Sequence, residues 1–154
     1  LYWEGMPVWG RLRDLAEFFI AQRAAVVAST YCESWVFEDL DPSDPFRSLA
    51  RAYAAIFITR DEAFKERYLE DMIDFYQADA VLFHDARTCP NNSNNRYGLP
   101  ERLRKRLGLP TLTINGDMND LRCYSDEQSK TVIEAFLEQL RENFAASGKG
   151  RVRP

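Results

Sequence analysis

Three cysteines, one histidine and a pair of aspartates are the residues of this 154-residue chain best suited to chemistry. Cys32, Cys89 and Cys123 are widely spaced and include no Cys-x-x-Cys pair, which argues against a zinc ribbon, a thioredoxin-type couple or a disulfide framework. A three-cysteine site within the chain would need all three sulfurs in adjacent loops; for Cys32 and Cys123, bystander thiols are the preferred reading. His84 carries a side chain that titrates near pH 6.5 and can move protons at neutral pH. A hydrogen-bonded structural histidine is an equal alternative at that position. Asp117 and Asp120 lack a neighbouring histidine or glycine-bearing metal loop, so capping and loop hydrogen bonds are favoured over a metal. Arg87, Arg96 and a helix start near Pro100 suit anions, and the run Asn91 to Asn95 offers many short donors and acceptors. The plainer alternatives are solvated arginines and a turn-rich connection.

Several familiar devices are missing. Gly5 and Gly10 have the spacing of a P-loop's first part, but Arg11-Leu12 stand where Lys and Ser or Thr would meet phosphate and Mg²⁺. There is no dinucleotide glycine fingerprint and no nucleophile elbow. Asn91-Asn92-Ser93 is formally a glycosylation sequon that stays silent without a secretory route. A net charge of −4 with both signs interleaved argues against nucleic acid. No apolar run approaches the roughly 20 residues of a membrane helix, and no secretion signal opens the chain. The expectation is a cytoplasmic domain with neither nucleic acid nor membrane as partner. Because the chain starts at Leu1, already inside an apolar stretch, it is expected to be cut from a longer protein.

The elements that must position these residues alternate short apolar runs with helical periodicity, the mark of an α/β fold. Leu12, Leu15, Ala16, Phe19 and Ile20 share one helix face. Ala24 to Ser29 reads as a strand buried on both faces. Asp44-Pro45 opens a helix reaching about Phe57. Thr59 and Glu62 suggest a capping box for a helix burying Phe64, Tyr68, Met72 and Phe75. Ala80 to Phe83 is a second strand, Pro100 to Gly108 a short helix, and Thr111 to Ile114 a third strand. Ser125 and Gln128 cap a last helix with Val132, Ile133, Phe136, Leu137, Leu140 and Phe144 inside. Leu1 to Trp3 would be a further strand. The expected fold is a small doubly wound, Rossmann-like or flavodoxin-like parallel sheet of about four strands with helices on both faces. Residues 1–146 form one domain and 147–154 a flexible tail. Ligands of such sheets bind beyond the strands' carboxyl ends. Those ends lead into Glu4-Gly5, Thr30 to Cys32, His84 to Arg96 and Asn115 to Cys123. The cysteines, the histidine and the aspartates therefore gather at one edge.

The segment from His84 through Asp85-Ala86-Arg87-Thr88-Cys89-Pro90-Asn91-Asn92-Ser93-Asn94-Asn95-Arg96 to Tyr97-Gly98 is followed by Gly108-Leu109-Pro110-Thr111-Leu112 and Gly116-Asp117-Met118-Asn119-Asp120-Leu121-Arg122. Glu127-Gln128 and Glu134 to Glu138 complete the order, with Glu4 to Trp9 and Ala28 to Tyr31 upstream. Together they resemble the C-terminal domain of a benzoyl-CoA reductase or 2-hydroxyacyl-CoA dehydratase family subunit, of the 2-hydroxyglutaryl-CoA dehydratase D-component type. The resemblance covers all but about the last ten residues.

The resemblance implies an anaerobic enzyme of paired homologous subunits, each holding a [4Fe–4S] cluster by three cysteines beside an acyl-CoA thioester. It also implies a separate ATP-hydrolysing iron–sulfur component that delivers electrons one at a time, giving a ketyl radical on the substrate. Cys89 would be one cluster ligand, with the others from an N-terminal domain this chain lacks. His84 would be the acid/base candidate, and Arg87, Asn91, Asn92 and Arg96 would contact substrate. The Arg-Thr-Cys-Pro-Asn-Asn-Ser stretch favours a reductase of aromatic acyl-CoA, of the kind used in anaerobic aromatic degradation. The alternatives are a 2-hydroxyacyl-CoA dehydratase with the same cluster chemistry and a non-catalytic α/β binding module. The isolated fragment is expected to be inactive.

Overall fold

Strand β1 (Tyr2–Glu4) runs parallel to β2 (Ala28–Ser29) on one side and β3 (Val81–Ala86) on the other, and β4 (Thr111–Gly116) pairs beyond β3. In this computed structural model, which describes residues 1–89 and 97–146, the order is β2-β1-β3-β4. Tyr2 lies opposite both Ala28 and Val81, and Val81 lies opposite Thr111. The central strands are covered on both faces, which is why Tyr2-Trp3 and Val81-Leu82-Phe83 read as unbroken apolar runs. Their alternation builds two cores. Trp3, Leu82 and Ile114 pack with Leu15 and Phe19 of α1 (Leu12–Ala21) and with Ile133, Phe136, Leu137 and Leu140 of α6 (Asp126–Ala146). Tyr2, Val81 and Phe83 pack on the opposite face with Phe57, with Leu69 and Ile73 of α4 (Glu62–Phe75), and with Leu99 and Leu103 of α5 (Leu99–Leu107). The doubly wound parallel sheet expected from the sequence is the fold observed. The proposed tail, 147–154, lies outside the described residues.

Polar contacts fix how the helices sit. Arg106 of α5 pairs with Glu66 at 3.3 Å and with Glu70 at 2.7 Å on α4, and Arg102 pairs with Glu62 at 3.0 Å and also with Glu66. Arg11, just before α1, pairs with Asp126 at the start of α6 at 2.7 Å. Gly108 ends α5 in the left-handed conformation, at φ 66°, that a side chain would disfavour.

Several local expectations need correction. The strand expected over Ala24 to Ser29 shrinks to Ala28–Ser29, with Val26 and Val27 exposed. Among the described residues β2 has a neighbour only in β1, so its run lies at the sheet's edge instead of between two strands. Thr59 does not cap α4: its hydroxyl donates back to the carbonyls of Ala54 and Ile56, and Asp61 accepts the Phe64 N–H at 2.7 Å instead. The helix expected from Asp44 to Phe57 is α3 (Pro45–Ala55), and Phe57 belongs to the 3-10 turn that follows. On α4 the buried stripe is Lys65, Leu69 and Ile73, spaced by four, while Phe75 is 75% exposed. Phe64, Tyr68 and Met72 lie beside that stripe, half-buried. Lys65 fits because its aliphatic stem is buried while its ammonium stays 3.5 Å from Glu62. Leu12, Ala16 and Ile20 of α1 and Val132 of α6 are likewise exposed. Each helix meets the sheet through a stripe narrower than its full apolar face.

Beyond the end of β2, α2 (Thr30–Glu33) leads into a string of aromatic rings. Trp9 meets Tyr31 at 5.4 Å between centroids, Trp35 meets Tyr53 at 5.9 Å, and Phe37 meets Tyr53 at 5.7 Å. Trp3 is in the core, but Trp9, Trp35 and Tyr53 are substantially exposed. Together they form a partly exposed aromatic surface beside the carboxyl-end rim.

Leu69→Ala removes a fully buried side chain and is expected to cost about 2–5 kcal/mol. Phe75→Ala, in the same helix, should cost no more than about 0.5 kcal/mol. Urea denaturation followed by circular dichroism distinguishes the two, and equal losses would contradict this assignment of the buried stripe.

Candidate functional site

Because the four strands are parallel, their carboxyl ends lie along one rim, where the loops after β1, β2, β3 and β4 meet. His84 points inward at that rim and is 2% exposed. Its Nδ1 lies in hydrogen-bond contact with the Met6 carbonyl. A carbonyl only accepts, so Nδ1 carries the proton and Nε2 the lone pair. Nε2 is buried and has no partner among the described residues. Burial holds the imidazole pKa below its usual value, against the Met6 bond and the charges of Asp117 and Asp85. The ring is therefore neutral at pH 7. It fits because residue 116 is glycine: a Cβ there would stand 2.8 Å from Nε2 and 2.9 Å from the Tyr124 ring.

Asp117 follows directly and is equally buried. One carboxylate oxygen accepts the backbone N–H groups of Asn119 and Asp120, both at 3.1 Å. The other accepts the Thr88 N–H at 3.0 Å and the Thr88 hydroxyl at 2.5 Å. These donors, the Thr88 hydroxyl foremost, hold the Asp117 carboxyl far below the usual carboxylate range. Asp120 accepts the Arg122 N–H and binds the Arg122 guanidinium through both oxygens, at 2.9 and 2.7 Å. Both aspartates thus serve as the caps and loop anchors favoured by the sequence.

The thiols lie apart in role. Cys89 is half-buried, and its backbone N–H donates to the Ala86 carbonyl at 3.2 Å, turning the chain as β3 ends. Cys123 is half-buried, with its sulfur 3.9 Å from Nη1 of the exposed Arg87, and Cys32 is exposed at the start of α2. Among the described residues no group of three or more His, Cys, Asp or Glu side chains could hold a metal. Cys89 fits one thiolate's share of a cluster: it is a half-buried thiol in no disulfide, at the carboxyl-end rim of the sheet. Asn91, Asn92 and Arg96 lie outside the described residues.

Sequence reasoning missed a second buried carboxylate. Glu4 ends β1 at 1% exposure, and the Thr30 hydroxyl donates to it. The Tyr2 hydroxyl, 2.9 Å from Thr30 Oγ1, must then donate to Thr30 in turn. Burial pushes the Tyr2 phenol above its ordinary range, despite the Thr30 bond. A carboxylate ending the otherwise buried run Leu1-Tyr2-Trp3 was the available signal.

Residues 1–140 match the family described as 2-hydroxyglutaryl-CoA dehydratase, D-component. The chain belongs to that family. Among curated relatives it is 28% identical to one of the subunits of benzoyl-CoA reductase from Thauera aromatica over 141 residues, 89% of this chain and 33% of the relative. It is 27% identical to lactoyl-CoA dehydratase subunit alpha of Anaerotignum propionicum over 145 residues, 94% of this chain and 34% of the relative. It is 24% identical to (R)-2-hydroxyglutaryl-CoA dehydratase subunit alpha of Acidaminococcus fermentans over 149 residues, 97% of this chain and 30% of the relative. The chain thus spans about a third of the length of the relatives it matches. Among the described residues no helix is long and apolar enough to cross a membrane.

Two outcomes test this D-component rim. Gly116→Ala should lower stability by about 1–3 kcal/mol, because the histidine and tyrosine rings must both shift. A lowered histidine pKa contributes stability that is complete above about pH 6.5 and lost as pH falls through the folded value. Wild type should therefore lose stability as pH falls below about 6.5, and His84→Gln should flatten that loss in urea titrations at each pH.

Proposed function

We propose that this chain is part of a subunit of an iron–sulfur acyl-CoA enzyme and contributes the Cys89 thiolate to a [4Fe–4S] cluster. The observation that carries this reading is the position of Cys89, a half-buried thiol just past β3 at the rim where α/β folds take ligands. The names of the D-component relatives support the acyl-CoA class of substrate. When bound, such a cluster supplies single electrons of low potential. The remaining ligands come from parts of the complete protein outside this chain.

The chain's own residues then divide the work. Arg87, exposed on the same loop, offers its guanidinium to a CoA phosphate or, as a hydrogen-bond donor, to the thioester carbonyl oxygen. Asn91, Asn92 and Arg96, which follow in the sequence, are further substrate contacts in this reading. His84 fills the structural one of its two candidate roles: its proton is committed to Met6 and its free nitrogen is shut in against Gly116. It ties the loop after β1 to the end of β3. A paired homologous subunit and an ATP-hydrolysing iron–sulfur donor complete the enzyme, consistent with relatives that are themselves named as subunits. The compartment is the cytoplasm.

The first reading of the reaction is one-electron reduction of an aromatic acyl-CoA. Dehydration of a 2-hydroxyacyl-CoA is the second, favoured by the likeness to lactoyl-CoA dehydratase. The complete protein, purified without oxygen together with its accompanying subunits, separates them. ATP-dependent turnover of benzoyl-CoA supports the first, and turnover of a 2-hydroxyacyl-CoA alone supports the second. Cys89→Ser should lose most of the iron and the cluster's paramagnetic signal in either case, and full retention of both would overturn the ligand assignment.

A further inference from the structure

The loop that bears Cys89 is held from outside itself. Between the end of β3 and Cys89, the backbone is anchored to the next loop by a side chain, because both Thr88 donors end on Asp117. The anchor is itself fixed: the second Asp117 oxygen is bound by two N–H groups of its own loop, so the carboxylate has little freedom to turn. It sits at the end of β4, whose pairing with β3 runs up to Ala86 opposite Gly116. The Arg87 N–H continues that register by donating to the Gly116 carbonyl at 3.0 Å. Rigid sheet, buried carboxylate and Thr88 thus form one unbroken connection ending one residue before the thiol.

We propose that Asp117 is a positioning residue that presets the Cys89 sulfur for metal through Thr88. The proposal rests on the reading of Cys89 as a cluster ligand, and its chemistry follows from the donor count. Four protons converge on this carboxylate, and only a group with two accepting oxygens can take them all. An asparagine presents one oxygen and one NH₂, which would face either the Thr88 pair or the Asn119–Asp120 pair and leave that pair unmet. The loop carrying Cys89 would then open more often. A ligand that must be found in the right place by an assembling cluster benefits from being held there beforehand.

The test uses the complete protein purified without oxygen, with four variants: Asp117→Asn, Thr88→Ala, Thr88→Ser and Cys89→Ser. The apo-protein is treated with iodoacetamide, and alkylation of Cys89 is followed site by site by mass spectrometry. The same proteins are reconstituted with iron and sulfide, and the reduced cluster is examined by electron paramagnetic resonance. Asp117→Asn should speed Cys89 alkylation about tenfold, slow reconstitution and shift the cluster's g-values. Thr88→Ala should move the same readouts by about threefold, and Thr88→Ser should restore them. Alkylation of Cys32 serves as the control for general loosening and should not change. Unchanged Cys89 alkylation and an unchanged spectrum in both Asp117→Asn and Thr88→Ala would overturn the proposal, as would equal acceleration at Cys32. If Asp117→Asn does not fold, the Thr88 pair decides alone. Full iron in Cys89→Ser would overturn the ligand reading, whereas faster alkylation in Asp117→Asn would still establish the anchor.

Discussion

Where the four strands stop, the ladder of backbone hydrogen bonds stops with them, and the loops that leave the sheet need other partners. In this chain those partners are buried side chains. Glu4 takes the Thr30 hydroxyl and joins the ends of β1 and β2. His84 joins the end of β3 to the loop after β1 through Met6. Asp117 joins the loop after β4 to the loop after β3. A buried polar group is costly when unmatched, so each of these joints specifies one arrangement of its loops. The rest of the rim, including its exposed arginine and half-buried thiol, inherits its shape from them.

This division of labour explains why the chemically suggestive residues behave so differently. The aspartates that might have taken a metal are saturated by donors, and the histidine that might have moved protons is locked in one tautomer. Arg87, by contrast, is exposed, and Cys89 is half-buried just past β3. Such an arrangement suits a domain that spans about a third of its D-component relatives and shows a string of partly exposed aromatic rings. Its inner polar groups tie the loops of the rim to one another.

Most of the fold was legible because buried parallel strands and amphipathic helices write themselves as patterns. Val81 to Phe83, the capping Gly108 and the Ser125 start of the last helix all appear where their patterns place them. What misled was apolarity without neighbours. Val26 and Val27 read as a buried strand, but pattern alone does not say which strand is outermost. Phe75 and Ile20 extend apolar faces further than the sheet can cover. At the rim, residue type announced Cys89 and His84, and the edge on which they gather followed from parallel topology. The joints did not announce themselves: Glu4 to Thr30 and Asp117 to Thr88 each span more than twenty residues, and a carboxylate's partner across such a distance leaves no local signature.

The enclosed imidazole has one more consequence. His84 is the single histidine of these 154 residues, so within this domain its ring contributes the one set of histidine nuclear magnetic resonances. Its Nδ1 proton is held against a carbonyl and shielded from water, conditions that would slow its exchange and set it apart as a downfield line. That one line lies at the junction of β3, the loop after β1 and the close approach of Gly116. Any shift of those loops would register there, giving the domain a built-in reporter of its own rim.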